Sequence, residues 1–138
     1  MSADGRVARS AFDGRIQPIS RRRQLTVLPH KLWSDDEWQR IQLGYLARDM
    51  DEKWNVFAEE SVVFLHRSWT GLGVFEVTFV SAEDGGWRIS QAVVRRERFD
   101  AIRRLISRGT RDDDEFNCQV LESVLSTVAS ANRPENSE

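Results

Sequence analysis

From Trp54 to Glu97 the apolar residues fall into a period of two, and the runs are separated by turns alone. No other feature constrains the chain as strongly. "WNVFAEE", "SVVFLHRSW", "GVFEVTFVS" and "GWRISQAVVRRE" are rich in β-branched and aromatic residues, as strands are. Glu59-Glu60-Ser61, Thr70-Gly71-Leu72-Gly73 and Glu83-Asp84-Gly85-Gly86 are turn chemistry. Connections this short join only antiparallel neighbours, because a parallel crossover needs a dozen residues or more. The stretch predicts a four-stranded antiparallel meander.

Helical periods flank the meander. "LWSDDEW" predicts a helix start: Ser34 as N-cap, Glu37 closing a capping box, and Trp33 with Trp38 as a hydrophobic staple. Asp35 and Asp36 suit the positive end of the helix dipole. That helix is expected over about 35–48, with Trp38, Ile41, Tyr45 and Leu46 on its apolar stripe. After the sheet, "RFDAIRRLISRG" turns Phe99, Ile102, Leu105 and Ile106 inward, with Gly109 as the stop. "RDDDEFNCQVLESVLSTVASA" carries a stripe of Phe116, Val120, Leu121, Val124, Leu125 and Val128. A four-stranded sheet must bury at least one face. The fold class is therefore α+β, with one helix before the meander and two after it.

The chain has 138 residues, enough for one domain with a real core. Residues 1–23, holding six arginines among small residues, read as an Arg-rich flexible arm. Residues 24–131 form the domain, and 132–138 read as a frayed tail. The net charge of −2 argues against binding nucleic acid through bulk charge, while leaving room for a local basic patch. Cys118 is the one cysteine, so no intrachain disulfide forms, which suits a reducing cytoplasm. No window reaches the apolar length of a spanning helix, so no membrane partner is expected. With two histidines and one cysteine, no zinc spacing exists, and no phosphate loop or dinucleotide fingerprint occurs. No cofactor is implied.

"HRSWTG", 66–71, sets a histidine, an arginine, two hydroxyls and an indole at the end of a core-like strand. Which face each occupies depends on the turn that follows, since a slip of one residue reverses every side chain. A connection of two or four residues puts Arg67 beside Glu76, as a cross-strand ion pair, and turns His66 and Ser68 toward the core. A connection of three puts His66 with Glu76, where acid–base work becomes available. The first alternative is favoured for its ion pair. A histidine among apolar neighbours is, more often than a catalyst, a hydrogen-bonded core residue. A turn centred at Glu60 places Trp54 opposite His66 and Lys53 opposite Arg67. "DEKW" and "HRSW" then converge on one end of the sheet, giving two cations flanked by indoles.

"MDEKW" followed by "VVFLHRSWTG" resembles a pattern in a group of small bacterial proteins without an assigned activity, where paired MDxKW and HRSWTG recur. The likeness spans about residues 45–80. It implies that Asp51, Lys53, Trp54, His66, Arg67, Ser68, Trp69, Thr70 and Gly71 act together, and it names no chemistry.

Three functional readings follow. The first is a cytoplasmic binding or regulatory module, of the immunity type among others, docking a protein partner through the Lys/Arg/Trp cluster; aromatics and arginine are what interfaces use. The second is a small enzyme on a nucleotide or another phosphorylated or sugar-containing ligand. There Lys53 and Arg67 neutralise the anion, Trp54 or Trp69 stacks a ring, and His66 moves the proton. The third is a nucleic-acid binder led by the arm, through Arg21, Arg22 and Arg23. An uncovered face or edge of the sheet would suit a homodimer.

Overall fold

The structure, a computed structural model, describes residues 6–12, 16–49, 51–96 and 110–133. It is α+β, with an antiparallel sheet. The meander is present: β2 (Trp54–Glu59), β3 (Val62–Arg67), β4 (Gly73–Ser81) and β5 (Trp87–Arg95). The sheet has five strands, not four, because β1 (Arg22–Gln24) pairs with β5 and gives the order β1-β5-β4-β3-β2. Pro29 and the arginine run mask β1 in the sequence; three residues are too few to show a period.

Cross-strand rows build the core on one face. Val56, Leu65, Phe75 and Val94 face one another across four strands, and Ala58, Val63, Val77 and Ala92 make the next row. All eight are buried. Burying a large apolar side chain contributes about 1.5–3 kcal/mol, so these rows hold the sheet in register. A bulge at Ser90 shifts β5, so Val93 falls on the opposite face from Ile89 rather than beside it.

Two described helices cover that face. Helix α1 (Asp35–Leu43) starts with the expected capping box, and Trp38 stacks on Phe79 at 4.4 Å between ring centroids. It ends five residues short of the expected 48. Gly44 takes φ +75°, and a Cβ there would lie 2.5 Å from the carbonyl oxygen of Val56. Tyr45, freed from the helix, bridges to Val56 of β2 instead. Helix α2 (Thr110–Ala131) buries Leu121, Leu125, Val128 and Ala129, whereas Phe116, expected inward, is exposed. Asn132 just beyond it donates to the carbonyls of Arg40 and Gly44, closing the end of α1. The helix expected over 98–109 lies outside the described residues. Among them, no helix is long and apolar enough to cross a membrane.

The opposite face is covered at β2 and β3 by the chain's beginning. Val7 and Phe12 pack with Phe57 and Phe64. Arg9 lies 5.0 Å from the centroid of each of those two β-strand rings and pairs with Glu59 at 2.8 Å. Gln17 bridges to Leu72, and Ile19 is buried. The described part of the arm is thus laid against the sheet, and its last residues are already strand.

Candidate functional site

The connection from β3 to β4 is Ser68–Leu72, and β4 carries a bulge at Val74. Phe64 therefore faces Glu76, and His66 shares the face of Glu76 rather than the core face. This overturns the favoured even connection, and with it the Arg67–Glu76 ion pair. Glu76 pairs with Arg22 of β1 at 2.9 Å, a partner that entered with the unforeseen strand. The β2–β3 turn is two residues, Glu60-Ser61, so Trp54 faces Arg67 and Asn55 faces His66, one position from the expected register. Glu60 accommodates the turn at φ 56°.

His66 is buried at 3% exposure and stacks with Phe57. Its Nδ1 lies 2.9 Å from the Gly71 carbonyl, and because a carbonyl only accepts, Nδ1 carries the proton. Burial pushes its pKa below the ordinary 6.5, against the smaller opposing effect of the bond to Gly71. The same carbonyl accepts the Gln17 N–H. His66 is thus a brace for the turn that follows it, and it faces neither opening described below.

That turn is what the two sequence motifs share. Ser68 donates its N–H to the carbonyl of Lys53 and its Oγ–H to the carbonyl of Glu52. Arg67 and Leu72 bond across the base of the turn, and Gly71 closes it at φ +76°. Thr70 Oγ1 accepts the Leu72 N–H. On the β2 side, Glu52 holds the preceding loop: it accepts from the Arg48 N–H at 2.6 Å and from the Tyr45 hydroxyl. Bonds from Arg48 and Tyr45 keep the Glu52 carboxyl at a pKa of about 2. Asn55 Oδ1 receives the Ala47 N–H in the same loop. Lys53 is therefore carried on a braced backbone.

An opening of about 440 Å³ lies at this sheet end, lined by Lys53, Arg67, Trp69, Thr70, Leu72, Val74 and Arg95. The Arg67 guanidinium sits 4.4 Å from the Trp54 ring centroid, and that indole packs in turn toward Phe75. Trp69 stands 68% exposed. Trp69 and Thr70 also line a second opening, of about 700 Å³, with Ser68, Gly71, Asn55 and Leu46.

The charges here are distributed unevenly. Arg9, Arg22, Arg23, Lys31, Arg40 and Arg48 each have a carboxylate partner. No carboxylate among the described residues pairs with Lys53, Arg67 or Arg95. Three cations around one opening with an exposed indole can hold an anion whose flat part lies on the ring.

Of the candidate residues, Lys53, Trp54, Arg67, Ser68, Trp69 and Thr70 are brought together. Asp51 is exposed in the preceding turn, its N–H bonded to Asp49 Oδ1, and lines neither opening. His66 and Glu76 belong to the other face. Sequence reasoning missed Arg95. The signal was available: in a meander, the end of the second strand and the end of the fourth lie at one end of the sheet, which brings Arg95 to the same end as Arg67. No family model, curated protein or solved structure matches this chain.

Proposed function

We propose that the chain is a binding module that takes an anionic group bearing a flat ring at the Lys53–Arg67–Arg95 opening. One observation carries the reading: these three cations share an open cavity and lack carboxylate partners among the described residues, while six others are paired. Leaving like charges together costs stability on folding, and an anion from outside offsets it. Arg67, stacked on Trp54, presents its fork preorganised for a phosphate or carboxylate. Trp69 offers an indole face beside it. The Ser68 bonds to the carbonyls of Glu52 and Lys53 join "DEKW" to "HRSW" and hold Lys53 and Arg67 at one end of the sheet. Binding is favoured over proton transfer because His66, the residue that would move the proton, is buried as a brace.

Titration with thymidine monophosphate, followed by tryptophan fluorescence, tests this. The ligand is expected to quench the signal, and Trp69→Phe to remove most of the change. Lys53→Ala and Arg67→Ala should each weaken binding by about tenfold, the value of one charge-assisted contact. Binding unchanged in both variants would refute the site.

A further inference from the structure

The cations do not stop at the opening. Lys53 immediately precedes β2 and Arg67 closes β3, while Arg95 closes β5 and is followed by Arg96, whose N–H bonds to the carbonyl of Arg21 just before β1. The antiparallel order puts all of these at one end of the five-stranded sheet. Arg21, Arg22 and Arg96 line a further opening of about 280 Å³. Arg22 is engaged by Glu76, while Arg21 and Arg96, like Lys53, Arg67 and Arg95, have no carboxylate partner among the described residues. β4, in the middle, and the residue just before it contribute Val74 and Leu72 instead of charge. The rim thus has cations on both sides of a short apolar saddle, and Trp69 lines the same opening.

Strands lie about 4.8 Å apart, so the rim from β2 to β1 runs roughly 19 Å. That is longer than one phosphate group can use. It matches about five nucleotides at the 3.4 Å stacked rise of a strand. Proteins that hold single strands combine a row of cations for the backbone with an aromatic ring on which a base stacks. Net charge −2 keeps the remaining surface from attracting polyanions, so contact would be confined to the rim.

Resting on the anion-binding reading above, we infer that the rim holds a short single strand of nucleic acid, its backbone on Lys53, Arg67, Arg95, Arg96 and Arg21 and a base on Trp69. Of the arm's arginine run only Arg21 takes part, because Arg22 and Arg23 are occupied by carboxylates.

The test is fluorescence anisotropy with a labelled oligothymidylate of about six nucleotides, against the full chain. The oligonucleotide should bind tighter than thymidine monophosphate by about tenfold or more, through added contacts on one ligand. Its log–log salt slope should be about −3, from four to five phosphate contacts on a single strand. Paired Arg21→Ala and Arg96→Ala substitutions should bring the oligonucleotide close to the mononucleotide affinity while the latter stays unchanged; Arg21→Lys with Arg96→Lys should retain most of the gain. Equal affinity for the two ligands would overturn the strand and leave the anion site standing. Displacement by polyglutamate as effective as by unlabelled oligothymidylate would also overturn it, in favour of an acidic protein segment. Failure of both nucleotides to bind would overturn the strand and the anion site together.

Discussion

Arg23 and Arg67 are both guanidinium groups on the helix-covered face of the sheet, and the molecule treats them oppositely. Arg23 of β1 meets Asp114 of α2 in a two-bond pair at 2.9 Å each, the carboxylate fully buried. Asp114 also accepts the N–H and hydroxyl of Thr26. Arg67 of β3 lies on the Trp54 ring, exposed and without a carboxylate among the described residues. A charge taken out of water must be matched on every side, whereas a charge at a rim can be left for something that arrives. The first arginine fastens β1 and α2 together, and the second stays open to water at the rim.

Asp114→Ala leaves the Arg23 cation and the Thr26 N–H facing a hole. Breaking a buried pair by removing one partner costs about 3–5 kcal/mol. Urea unfolding should show a loss of that order. A loss below about 1 kcal/mol, the scale of an exposed pair, would mean the contact is no clamp.

Acid probes the same clamp without substitution. Burial alone would raise the Asp114 pKa, but the bonds from Arg23 and Thr26 outweigh it and set the value at about 2, against an ordinary 3.8. A folded-state pKa below the unfolded one means the fold prefers the carboxylate. The stabilisation is complete above about pH 5 and is lost as pH falls toward 2, amounting to about 2 kcal/mol. Stability measured between pH 6 and pH 2.5 should fall more steeply in the natural protein than in Asp114→Asn. Parallel slopes would remove Asp114 from the account.

How much of this contrast the sequence discloses differs between its two sides. The meander, the capping box at Ser34 and the meeting of "DEKW" with "HRSW" follow from local periods and turn chemistry. Those signals act over a few residues and survive without knowledge of the rest. The Arg23–Asp114 clamp joins positions 91 apart, with no local pattern in either segment. β1 is too short to show a period, and without it Glu76 has no visible partner other than Arg67. The face of His66 turned on one bulged residue, Val74, in a strand of otherwise regular alternation. Local chemistry therefore located the end of the sheet where the cations gather. Long-range pairing decided which arginine was occupied and which remained open.

Arg67→Ala removes a contact with the Trp54 ring, worth about 0.5–1 kcal/mol at an exposed site. It also removes a charge that shares its opening with Lys53 and Arg95. Repulsion between charges in high dielectric amounts to a few tenths of a kcal/mol per pair, up to about 1 at 4 Å. The two terms oppose one another, so stability should change by less than about 1 kcal/mol. Added salt screens the repulsion over a Debye length of about 10 Å at 0.1 M, so the natural protein should gain slightly more from salt than the variant. Urea unfolding of both proteins at low and at moderate ionic strength measures this directly. If Arg67→Ala unfolds as readily as Asp114→Ala, Arg67 is a structural residue like Arg23, and the open rim loses one of its cations. If the variant keeps its stability but binds thymidine monophosphate about tenfold more weakly, the two arginines are separated by role as they are by surroundings.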